Sequence, residues 1–132
     1  MVYLRRGDTM NIVQTSSAPA SIGPYSQGVI SGKLIYTSGQ IPVSVGTGDV
    51  VGTAIQEQTE QVCKNLAAVL KAAGSSLAKV VKTTCFLTDM NDFAAFNEVY
   101  SRHFTGKPAR STVAVRQLPK NVLVEIEAVA EV

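Results

Sequence analysis

His103 is the only histidine in this 132-residue chain. That excludes a two-histidine acid/base pair within one chain and leaves a zinc site short of its usual ligands, so no metal is expected. Tryptophan is absent, and the two cysteines, Cys63 and Cys85, stand 22 positions apart. That spacing matches no thiol-exchange motif, and without a secretory signal both read as reduced core residues of a cytosolic-type compartment. No apolar run approaches the length of a membrane span and no lipid-anchor motif occurs, so no membrane partner is expected. Lys and Arg number 12 against 10 acidic residues, a net charge of +2, and the cations are scattered. Strong nucleic-acid binders concentrate basic charge on one face, so nucleic acid is a disfavoured partner. The chain has no Gly-x-Ser-x-Gly elbow. The run Gly46-Thr47-Gly48-Asp49-Val50-Val51-Gly52 places its last glycine one residue too far for a dinucleotide fingerprint and reads as turn chemistry.

What the chain does have fits a single domain with one hydrophobic core: 45% of its residues are hydrophobic and 17% charged. Asn11 to Thr15 is a short strand candidate, followed by a Ser/Ala/Pro-rich loop. Gly28 to Ile30 and Leu34 to Thr37 read as a hairpin around Gly32. Thr53 and Gln56 have capping-box spacing before a helical pattern from Ile55 to Ala73, which Gly74 should end. Lys79 to Thr88 reads as a long strand, and Asp92 to Phe104 as a second helix striped by Phe93, Phe96, Tyr100 and Phe104. Strands from Arg110 to Arg116 and Leu123 to Glu131 close the chain. The pattern predicts an α+β domain, a mixed sheet of about six strands with two helices on one face. In the Val80 to Thr88 strand, alternation puts Val80 and Phe86 on one side and Val81, Cys85 and Leu87 on the other. Both faces are then apolar, and a second subunit is the economical cover, so a homo-oligomer is expected.

Candidate chemistry centres on Lys107-Pro108-Ala109-Arg110-Ser111-Thr112 and Val124-Glu125-Ile126-Glu127-Ala128. A guanidinium is planar, permanently charged and matched to a carboxylate, so Arg110 on a rigid strand suits a small organic acid. Glu125 could then handle water or protons. An Arg and a Glu on adjacent strands more often form a structural ion pair. Alternation sets Val124, Ile126 and Ala128 toward the helices and turns Glu125, Glu127 and Glu131 away.

Further segments stand in a fixed order with these: Ile22-Gly23-Pro24-Tyr25-Ser26-Gln27-Gly28, Tyr36-Thr37-Ser38-Gly39-Gln40-Ile41-Pro42, Val81-Lys82-Thr83-Thr84, Met90-Asn91-Asp92-Phe93, Phe96-Asn97-Glu98-Val99-Tyr100 and Leu118-Pro119-Lys120. Together they resemble the RidA/YjgF family of imine deaminases, from about Met10 to the C-terminus. The resemblance implies a chorismate-mutase-like fold, a homotrimer with a central barrel, and sites in the clefts between subunits. It implies that Arg110 holds the substrate carboxylate, that Glu125 handles the reacting water, and that Tyr25, Ser38, Gly39 and Asn97 line the pocket. Thr112 joins them at a position where many members carry Cys. Lys107 stands where an aromatic residue is common. The implied reaction hydrolyses small 2-imino acids, such as 2-iminobutanoate and 2-iminopropanoate released by pyridoxal-phosphate enzymes, to 2-oxo acids and ammonia without a cofactor. In that setting Arg110 lies beside Glu125 and favours its ionised form.

Quieter readings stand beside these roles. Tyr25 packs after a Gly-Pro turn, Ser38 and Gly39 end a strand, Asn97 bonds a backbone carbonyl, and Thr112 is structural. Two other functions stay open: an RNA-directed translation inhibitor or endoribonuclease, and a non-catalytic small-acid-binding or chaperone-like module. Residues 1–10 are assigned to a flexible N-terminal extension and 11–132 to the RidA-like domain. An upstream start or a targeting remnant are the other readings of that extension. The expected location is cytoplasmic, with a mitochondrial one left open, although two Arg and an Asp make a poor presequence.

Overall fold

The computed structural model describes residues 2–4 and 10–132. Seven strands and two helices follow one another as β1 (Val2–Leu4), β2 (Met10–Val13), β3 (Gly28–Ser31), β4 (Leu34–Thr37), α1 (Ile55–Ala72), β5 (Val80–Leu87), α2 (Phe93–His103), β6 (Ala109–Ala114) and β7 (Val124–Glu131). They form one sheet in the order β1-β2-β3-β4-β7-β5-β6. Among the described strands only β5 and β6 pair in parallel, joined through α2, as a parallel pair requires. The six expected strands and both helices are present. The seventh, β1, lies within the expected N-terminal extension and pairs with β2, while the rest of that extension, residues 1 and 5–9, falls outside the described residues.

Local chemistry explains most boundaries. Gly32 takes φ +62° between paired Ser31 and Leu34, the first central position of a two-residue hairpin loop. At the end of α1, Gly74 takes φ +81°, its N–H donates to Lys71 O at 3.0 Å, and the Ser75 N–H donates to Leu70 O at 2.8 Å. These two bonds satisfy terminal carbonyls that the helix leaves open. The start of α1 differs from expectation. Its N-cap is Ala54, with no side-chain cap, so Thr53 does not close a capping box. Gln58 reaches back instead, donating to Gly52 O at 3.2 Å.

Both helices pack on one face of the sheet. Val62, Cys63, Leu66, Val69 and Leu70 of α1 and Phe96 and Tyr100 of α2 meet Cys85, Leu87, Val124, Ile126, Ala128 and Ala130 in one cluster. The alternation expected for β7 holds: its even-numbered residues are buried, while Glu127 and Glu131 are exposed. That expected for β5 does not. An irregularity between Val80 and Lys82 lets Val80 pair with Ala130 and Lys82 with Val129. This one-residue bulge puts Val80 in the core with Cys85 and Leu87 and leaves Val81 exposed. The far face remains partly apolar, with Tyr36 46% and Val113 44% exposed. Both cysteines are buried and free, and burial pushes their thiols up to about 12 for Cys63 and about 11 for Cys85. His103, partly exposed at the end of α2, ties that end to α1 through Glu60 Oε2 at 2.9 Å.

Candidate functional site

Arg110 extends from edge strand β6 toward α2, because it is in register with the buried Thr83 of β5. Three residues of one α2 stripe receive it. Its Nη1 donates to Asn97 Oδ1 at 2.6 Å. Its guanidinium carbon lies 4.7 Å from the ring centroid of Tyr100 and 5.4 Å from that of Phe93. Among the described residues no carboxylate comes within ion-pair distance of Arg110. A cation held by one amide and two ring faces keeps most of its donors for an incoming anion. The cleft in front of it measures about 700 Å³ and is bordered by Asn97, Tyr100, Lys107 and Pro108. Asn97 thus bonds a side chain rather than a backbone carbonyl. Phe93 and Tyr100, read from the sequence as core stripe, prove to be part of this cage.

Thr112 follows Arg110 on the same face of β6, level with Cys85. Its Oγ1 is buried and makes no hydrogen bond of sound geometry. Cys85 lies close enough for that hydroxyl to offset slightly the rise that burial imposes on its thiol.

Glu125 occupies a different place. It is level with Phe86 of β5, on the face away from the helices. Between the pairs Tyr36–Val129 and Gln40–Ile126 the chain uses four steps against three, so Ser38 and Gly39 loop out of the ladder. Thr37 fills the gap by accepting the Ala128 N–H at 3.0 Å. Gly39 comes to rest on the Glu125 carboxylate, with no room for a β-carbon. Burial first, and the nearby Glu127 second, push the Glu125 carboxyl above the ordinary range. The Ser38 hydroxyl donates to Ser26 O at 2.6 Å, and its N–H to Gln27 O at 2.9 Å. Tyr25 is 53% exposed and borders a second cleft of about 650 Å³ with Gly39, Gln40 and Lys120.

A buried residue with no assigned role holds this second region together. Gln27, 2% exposed, accepts the Thr15 N–H and donates to Thr15 O, Ala18 O and Pro19 O. The only hint of it in the sequence was its place in the Tyr-Ser-Gln-Gly segment.

The expected residues therefore form two groups: Arg110, Asn97 and Thr112 on one side, Tyr25, Ser38, Gly39 and Glu125 on the other. Although β6 and β7 are consecutive in sequence, β5 separates them. Strand spacings put the Arg110 and Glu125 backbones about 14 Å apart, on opposite faces. The expectation that Arg110 lies beside Glu125 and promotes its ionisation is not met within a chain, because β5 intervenes and alternation turns the two side chains apart. Among the described residues, no group of three His, Cys, Asp or Glu side chains is placed to hold a metal ion. No described helix is long and apolar enough to cross a membrane.

Residues 15–132 match the family model described as Endoribonuclease L-PSP. AldR of Lactococcus lactis, named as a regulator, is 55% identical over 124 residues, 93% of this chain and 98% of the relative. The 2-iminobutanoate/2-iminopropanoate deaminase of Rattus norvegicus is 47% identical over 120 residues, 90% of this chain and 88% of the relative. The crystal structure of Escherichia coli TdcF with bound serine superposes with a TM-score of 0.87 at 46% identity, covering 92% of this chain and 98% of that one.

Proposed function

The chain belongs to the Endoribonuclease L-PSP family, the RidA/YjgF family of the sequence resemblance, and from that membership we propose that it is a cofactor-independent imine deaminase. Its substrates in this reading are small 2-imino acids of the 2-iminobutanoate and 2-iminopropanoate kind, released by pyridoxal-phosphate enzymes. The observation that carries it is the Arg110 guanidinium, fixed by Asn97 and two rings, facing a cleft and paired with no carboxylate among the described residues. Such a group binds a substrate carboxylate through two parallel N–H donors and orients the adjacent imine carbon.

Water then adds to that carbon. Glu125 accepts a proton from the water as the C–O bond forms and returns that proton to the imine nitrogen. In the resulting aminoalcohol the carbinol O–H proton passes through Glu125 to the nitrogen as the C–N bond breaks, so that ammonia leaves and the ketone remains. A base with its pKa raised toward neutrality is better matched to both proton transfers than an ordinary carboxylate. Because Arg110 and Glu125 diverge within one chain, the complete site joins Arg110 and Asn97 of one copy to Tyr25, Gly39 and Glu125 of another. The half-apolar far face supports such an assembly, a homotrimer in this reading.

The test is release of ammonia and 2-oxo acid from freshly generated 2-iminobutanoate, wild type against Arg110→Ala, above the spontaneous rate. Acceleration that vanishes in the folded variant supports the reading. No acceleration by wild type overturns it. The family description also favours an RNA-directed activity. An RNA-cleavage arm with the wild-type protein separates the two, since cleavage of RNA without acceleration of imine hydrolysis would favour the RNA-directed reading.

A further inference from the structure

We propose that Tyr100 is a positioning residue for Arg110, with Thr83 as the fixed point that holds Tyr100. This rests on the carboxylate-anchor reading above and adds the device that makes the anchor rigid. An arginine on an edge strand has four rotatable bonds and loses much freedom when fixed. A single hydrogen bond to Asn97 leaves the plane of its guanidinium free to swing. The Tyr100 ring, 4.7 Å beneath, sets that plane.

Tyr100 can do so because it is itself held from several directions. It is 7% exposed, stacks on Phe104 at 4.3 Å and leans on Phe96 at 5.5 Å. Its hydroxyl lies 2.6 Å from Thr83 Oγ1, and Thr83 is level with Arg110 across the parallel pair. The hydrogen bond therefore ties the ring to the rung of the sheet from which the arginine springs. Burial raises the phenol above its ordinary range, so it stays neutral at physiological pH.

The choice of a ring rather than an acid has a chemical logic. A carboxylate orienting Arg110 would occupy the in-plane N–H pairs and compete with the substrate for them. A ring face attracts the cation from above and leaves those edges open. The stripe Phe93, Asn97, Tyr100 carries no formal charge, and Glu98, which borders the cleft with Lys107, pairs with Arg102 rather than with Arg110.

The experiment uses the full-length chain with Tyr100→Leu, Tyr100→Phe, Thr83→Val and Arg110→Ala, each checked for folding and assembly state. It reads kcat and KM for 2-iminobutanoate and calorimetric Kd for 2-oxobutanoate. Tyr100→Leu should raise KM and Kd about tenfold with kcat changed by less than about twofold, the size of a lost cation–π contact. Tyr100→Phe keeps the ring and should restore most of that loss. Thr83→Val strands the phenol and should raise Kd about threefold. If Arg110→Ala binds 2-oxobutanoate as wild type does, the anchor reading itself fails. If Arg110→Ala loses binding while folded Tyr100→Leu keeps wild-type KM and Kd, only the role of Tyr100 is overturned, as it is by a fall in kcat alone. Should Tyr100→Leu not fold, Thr83→Val decides: an unchanged Kd overturns the proposal.

Discussion

The Arg110 cage and the Glu125 corner are built in opposite ways. The cage consists of regular elements: one stripe of α2, one rung of the β5–β6 pair, and a cation completed by side chains of its own chain. The Glu125 corner is built from an interrupted ladder and loops, tied by Ser38 and Gln27 to backbone carbonyls. At the cage, the cation is held by an amide and two uncharged rings. At the corner, a carboxylate is half-buried against a glycine with another acid nearby, and its charged form is disfavoured. One region is a preformed receptor for negative charge, and the other is a proton acceptor still short of a partner.

That contrast can be broken most sharply at its charged end. Removing the guanidinium by Arg110→Ala should lower kcat/KM by the equivalent of about 2 to 5 kcal/mol while leaving the thermal melt near wild type. Steady-state deamination together with calorimetry checks both halves. A large fall in melting temperature would make Arg110 a structural residue. Next comes Gly39→Ala, whose β-carbon has to displace the Glu125 carboxylate. It should cut kcat on the order of 10²-fold, as misplaced catalytic groups do, and leave Kd for 2-oxobutanoate nearly unchanged. Loss of binding instead would merge the two regions into one.

Gln27→Ala isolates the loop framework. Four hydrogen bonds disappear and several backbone groups are left to seek new partners, so urea unfolding should report a loss of about 2 to 3 kcal/mol. The smallest effect concerns pH. Activity that needs ionised Glu125 should fall as pH drops through its raised pKa, at a higher pH than for an ordinary carboxylate. Glu127→Gln removes the second cause of that rise, and the acid limb of kcat/KM should move to lower pH. The sign for stability follows from the same shift. A carboxyl raised on folding favours the folded state at low pH and loses that contribution as pH climbs through the folded value. An acid limb unmoved in Glu127→Gln would mean that another group titrates there.

Much of the fold was legible because long periodic segments carry their own signal. The α1 pattern ending at Gly74, the α2 stripe and the two faces of β7 follow from repeat spacing alone. The bulge after Val80 was not legible, since a single extra residue inverts parity without altering composition. The separation of Arg110 from Glu125 was hidden for a related reason: neighbours in sequence are not neighbours in a sheet when β5 lies between them. In the candidate site, Arg110 and Glu125 stood out by chemistry, and Tyr25, Ser38, Gly39 and Asn97 came from the resemblance. Tyr100 and Phe93 were concealed inside an apolar stripe, because a ring against a guanidinium and a ring in a core leave the same mark on a sequence. Gln27 was concealed because its partners are carbonyls, which every residue has.

The strand order has a consequence for how the chain is made. β7, which follows the other described strands in sequence, lies between β4 and β5 rather than at an edge. Until Val124–Glu131 has left the ribosome, β1 to β4 and the later β5–α2–β6 unit are two half-sheets linked by the packing of α1 on α2 and not by strand pairing. Closure is the final, longest-range pairing, the slow kind of step that loop entropy penalises. A chain truncated before Val124 therefore has exposed strand edges on both halves and is a substrate for chaperones and proteases rather than a weakened version of the native protein.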